Sequence, residues 1–153
     1  MSLEENKSLV RRYYDEMWNL WNLPLADELI GEGLTFRGSL GVAVQGRAGF
    51  KDYMCTVRRA FPDFHNHIEE LVAEDDKVVA RLTYTGTHHG VLFGIGPTGK
   101  RVTYAGVAVF RIEAARITEG WVLGDVHGLM RQLSGDVAGP ITAAGQGRGS
   151  ALA

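Results

Sequence analysis

The hydrophobic period of this chain changes at Pro62, and that switch limits the possible folds more than any other feature. Before it, apolar residues recur at helical spacing. After it, they alternate as strands do. Helices first and antiparallel strands afterwards is the pattern of an α+β domain. At 153 residues the chain is long enough for one such domain and too short for two ordinary ones.

The helical half opens with a capping box, Ser2 followed by Glu5, in which side chain and backbone satisfy each other's orphan donors. Leu9, Tyr13, Met17 and Leu20 then recur on one face, widened by Val10, Tyr14, Trp18 and Trp21. Asn22 and Pro24 predict a short second helix over 23–30, ended by Gly31 and Gly33. A short strand over 34–37 and a glycine-containing loop over 38–46 follow. A third helix is expected over 47–60, with Phe50, Tyr53, Met54, Val57 and Phe61 as its stripe and Pro62 as its stop.

The strand half reads as 64–73, 77–88, 101–113 and 116–126. Glu74-Asp75-Asp76 and Ala114-Ala115 are turns, and Gly90 to Arg101 is a longer connection. Residues 128–133 predict a helical turn. The domain is read as residues 1–134. Residues 135–153 form a Gly/Ala-rich tail whose composition cannot build a core.

Composition narrows the function. Sixteen basic against 18 acidic residues disfavour a nucleic-acid partner. The lone Cys55, flanked by helix-stripe residues, excludes an internal disulfide and reads as a buried apolar group. No apolar run reaches the roughly 20 residues of a membrane span. The polar start MSLEENKS is not a signal peptide, so a cytoplasmic location is expected. His65 and His67 have two-ligand spacing, but no third ligand joins them, so neither metal nor cofactor is expected. His88 reads as a solvated turn residue. The basic pairs Arg11-Arg12, Arg58-Arg59 and Lys100-Arg101 read as solvated faces.

Six stretches, LVRRYYDEMWN (9–19), GRAGFKDY (46–53), RRAFPDF (58–64), GTHHGVLFGIGPTGKRV (86–102), VFRI (109–112) and HGLMRQL (127–133), resemble the SnoaL-like polyketide cyclases. That family belongs to the nuclear-transport-factor-2-like superfamily of α+β cones. The resemblance covers residues 7–134. It implies a curved, mostly antiparallel sheet with helices over its concave face, enclosing a conical pocket. It places Tyr13, Met17, Tyr53, Val57 and Phe61 on the helix faces lining the cone, and Tyr104, Ala108 and Val122 on the strands.

The chemistry implied by the family departs at three positions. The cyclases' acid/base aspartate corresponds to Val122, a second polar position to Ala108, and a first-strand histidine to Arg37. Valine cannot take a proton. Two readings of the pocket therefore stand. One is an enzyme of cyclase or isomerase type, with Asp125, Arg37 and Tyr53 as catalytic candidates and His127 as a partner for Asp125. The other is a binding module for a small hydrophobic molecule that kept the pocket without the base. A limonene-type epoxide hydrolase is a further alternative. By strand parity Asp125 shares a face with Trp121 and Leu123, which favours a cap on the final turn over a seat in the cone. Arg37 could hold a carboxylate or enolate, or pair with Glu32. A homodimer through the convex sheet is expected, with Trp121 on that face.

Overall fold

The computed structural model describes residues 1–135. The tail reading, beyond Gly135, lies outside the described residues. Helix α1 (Leu3–Arg12) starts at the predicted capping box: the Ser2 hydroxyl accepts from the Glu5 amide, and the Glu5 carboxylate accepts from the Ser2 amide. The helix then widens into a π-helical turn, Tyr13–Trp18. A π-turn adds a residue to the circuit. Here four large side chains, Tyr13, Tyr14, Met17 and Trp18, all become buried.

A 3-10 turn (Leu23–Leu25) and helix α2 (Ala26–Leu29) follow. The second helix is thus shorter than the sequence predicts, and Gly31 and Gly33 do not terminate it. They lie inside strand β1 (Ile30–Arg37). The loop expected over 38–46 contains a three-residue strand, β2 (Ala43–Gln45). Helix α3 (Gly46–Ala60) and strands β3 (His65–Glu74), β4 (Lys77–Thr87), β5 (Arg101–Glu113) and β6 (Arg116–Gly124) match their predicted spans closely. The last turn is a full helix, α4 (Val126–Ser134), with Gly135 in left-handed geometry at its end.

The six strands form one curved, open sheet in the order β2-β1-β6-β5-β4-β3. Every pairing is antiparallel except β1 with β6. Alternation fixes the faces. On β5, Val102, Tyr104, Ala108, Phe110 and Ile112 are buried on the helix side, and Arg111 points outward. Val122 sits opposite Ala108 and also faces in, whereas Trp121 and Leu123 face out. The helices lie over the inner face, and an aromatic cluster packs between the layers, with Tyr13 edge-to-face on Phe110, Phe36 edge-to-face on Phe50, and Tyr13 tilted against Phe50. Among the described residues no helix is long and apolar enough to cross a membrane.

Candidate active site

The predicted pocket residues divide in two. Tyr13, Tyr53, Val57 and Val122 border a cavity inside the cone, joined by Tyr14, Trp18, Phe64 and Tyr84. Phe36, Ser39 and Asn66 complete the wall. Met17, Phe61, Tyr104 and Ala108 are buried in the core as expected but do not themselves border that cavity. The cavity measures only about 20 Å³, room for roughly one water. The aromatic side chains that the sequence marks as pocket lining largely fill the pocket themselves.

All five tyrosines of the chain are buried. Burial disfavours a phenolate, so their pKa values rise. Desolvation pushes Tyr53 up to about 12 and Tyr13, Tyr14, Tyr84 and Tyr104 further. Tyr53 rises least because the polar groups of Ser39 and Leu40 beside its hydroxyl offset part of the desolvation. Its ring reaches that position only because residue 38 is glycine; a β-carbon there would lie 2.0 Å from the hydroxyl. Gly106 makes a similar slot for Tyr84, with 2.5 Å left between a would-be β-carbon and the ring. Ser39 bonds the Tyr104 hydroxyl at 3.1 Å.

The lining holds no carboxylate and no histidine. Asp125 caps α4, accepting from the Gly128 amide at 2.9 Å, and is exposed, as parity predicts. His127 is exposed on the same turn. Arg37 lies on the outer face, donates to the Val122 carbonyl and stacks on Trp121, 5.6 Å from the ring centroid. It does not pair with Glu32. Asn66 is the polar group that composition does not flag. Its amide N–H and side chain donate to the Asn19 side-chain oxygen, which fastens β3 to the π-helical turn.

Two further expectations are corrected. His88 is fully buried, not solvated. The 88–100 connection folds back on it: the Lys100 carbonyl accepts its amide, the Gly99 amide donates to its carbonyl, and the Thr98 amide donates to Nδ1. An accepting Nδ1 puts the proton on Nε2, which is buried with no hydrogen-bond partner among the described residues. Cys55 is half-buried on α3, with a solvent-facing edge the helix stripe does not show. A larger depression of about 640 Å³ lies between α1, α2 and the β5–β6 turn, but it shares no residue with the cone cavity. Within it Arg12 pairs with Glu28 at 2.6 Å.

The profile of SnoaL-like polyketide cyclases matches residues 8–133. The chain belongs to that family. Its fold is similar to that of a protein from Jannaschia sp. CCS1 named as a SnoaL-like polyketide cyclase, with a TM-score of 0.79 and 24% identity over 90% of this chain and 94% of that one. It is also similar to AclR of Streptomyces galilaeus, named as a hydroxylase, with a TM-score of 0.77 and 28% identity over 91% and 87%. A third neighbour, named as a polyketide cyclase from Acidithiobacillus ferrooxidans, has a TM-score of 0.75 and 29% identity over 88% and 99%. A search of curated proteins finds no match. Within the SnoaL-like family, then, this cone is one whose wall is phenolic instead of acidic.

Proposed function

We propose that the protein takes a small, mostly apolar molecule bearing a carbonyl or enol oxygen into its cone, and that Tyr53 donates a hydrogen bond to that oxygen. The observation that carries this reading is the state of Tyr53. Tyr53 borders the cavity beside Ser39, and burial keeps its hydroxyl protonated, so it can donate to a ligand oxygen there. Binding and polarisation are supported better than proton abstraction, because no lining group is a base at neutral pH. An epoxide hydrolase needs a carboxylate beside its water, and the wall supplies none. Entry of a ring requires the side chains around the small cavity to part, with Trp18 and Phe64 on its outer side.

The test compares 1-tetralone with its hydrocarbon tetralin by calorimetry. Tetralone should bind roughly three- to tenfold tighter, the worth of one hydrogen bond, and Tyr53→Phe should erase the difference. Equal affinity for both ligands in the wild-type protein would overturn the role of Tyr53, and turnover of the ketone would restore the enzyme reading.

The outer sheet face supports a homodimer. Trp121, Leu123 and Val107 are 47%, 52% and 40% exposed, and Leu123 is directly opposite Val107 in register. Exposed apolar side chains clustered on a sheet are covered in a stable assembly. Sedimentation should give a dimer, and Trp121→Asp should shift it to monomer; a wild-type monomer at micromolar concentration would sink this assignment.

A further inference from the structure

A groove of about 230 Å³ opens on the outer side of Trp18 and Phe64, between the π-helical turn, the end of α3 and the start of β3. The same two rings border the cone cavity, and they stand 5.9 Å apart between the two spaces. Trp21 forms the groove's outer wall. The helix ends here in a Schellman turn: the Asn22 amide donates to the Met17 carbonyl, and the Trp21 amide to the Trp18 carbonyl. The residue at Trp21's position in such a turn must be left-handed, which is why glycine usually occupies it. Trp21 sits there with φ +53°. A bulky ring is held against local backbone preference, and such strain concentrates where a side chain has work to do.

The electrostatics give the ring a partner. Arg58 places its guanidinium 4.3 Å from the Trp21 ring centroid. Among the described residues no ion pair engages Arg58. The groove's own acid, Asp63, is committed to the Thr87 amide and hydroxyl and faces Arg101 at 3.4 Å. A stacked guanidinium keeps its N–H edge free for a planar anion, and carboxylates fit that edge with two parallel hydrogen bonds.

We propose that this groove is a second binding site, for a planar aromatic carboxylate whose ring lies among Trp18, Trp21 and Phe64 and whose carboxylate meets Arg58. The site lies outside the cone and does not rest on the reading of Tyr53. Titration of the full chain with 2-naphthoate and with uncharged 2-naphthamide tests it. Naphthoate should bind at least tenfold more tightly, and its affinity should fall with added salt. Arg58→Gln, a change at an exposed side chain, should remove the preference for the anion. Trp21→Asn suits the left-handed backbone and should abolish binding while the far-ultraviolet spectrum stays native. Val122→Ile, which adds a methyl to the cone cavity, should leave the naphthoate Kd within twofold. Equal binding of acid and amide, affinity untouched by Arg58→Gln, or loss of binding in Val122→Ile would each overturn the proposal. If Trp21→Asn does not fold, Arg58→Gln decides alone.

Discussion

The cone cavity and the groove outside it share Trp18 and Phe64, yet they carry opposite chemistry. Inside, phenols and amides face one another with water nearly excluded, and no charge is present on the wall. Outside, an indole is half in solvent and a guanidinium lies across it. The difference comes from burial more than from composition, since both walls are aromatic. An Arg inside the cone would forfeit its hydration, and a carboxylate there would be pushed toward its neutral form. In the groove, water keeps Arg58 charged at little cost. The Asn19–Asn66 link ties the two walls mechanically, because Asn19 borders the groove and Asn66 borders the cavity.

The sharpest way to break this comparison is to titrate the tyrosines. Their folded pKa values lie above the ordinary 10.0 because the phenolate is desolvated. The charged form appears first in the unfolded chain. The stabilisation from keeping the phenols neutral is therefore complete below pH 10 and is lost as pH rises through the folded values, from about 12 at Tyr53 upward. Stability should fall with pH above about 10. Phenolate absorbance should stay flat through the ordinary range and then rise together with unfolding, for all five tyrosines at once. A phase near pH 10 in a protein still folded by circular dichroism would show that a phenol reaches solvent. It would also erase the contrast between the two walls.

How much of this was legible in the sequence differs between the layers. Strand parity is a local property, so the inward Val122 and the outward Trp121 and Asp125 could be read directly, as could the cap that Asp125 makes. The capping box at Ser2 and Glu5 was legible for the same reason. Gly31 and Gly33 misled because glycine is read as punctuation, while here they lie in a strand whose pairing with β6 is set by residues far away in sequence. The π-helical turn leaves no trace in a period of apolar residues. Neither does the closure of the cavity, which depends on how seven aromatic side chains fill one volume. His88 is buried by a loop that folds back through Thr98 and Lys100, and only the three-dimensional path shows it. Apolar spacing puts Trp21 in a helical stripe, whereas its left-handed backbone makes it the end of that helix.

The smallest expected effect separates strain that accompanies a candidate site from strain that does not. Trp21 and Ala115 both hold left-handed backbone, with φ of +53° and +62°. At Trp21 the ring faces a groove and a cation. At Ala115 the side chain is a methyl group in the two-residue turn that closes β5 onto β6, next to Ala114 at φ +50°. Turns of this geometry favour glycine at the second central position, because a β-carbon there crowds the backbone. Relief of that crowding competes with the extra freedom glycine gives the unfolded chain. The left-handed cost is about 1–2 kcal/mol and the entropic cost about 0.5–1, so Ala115→Gly should stabilise by roughly 0.5–1 kcal/mol. Thermal unfolding should show a rise of about 1–4 °C for a chain of this size. Naphthoate binding in the groove should not change. A fall in Tm would mean that the Ala114–Ala115 turn is held in place by contacts its backbone angles do not reveal, and the contrast with Trp21 would then lose its force.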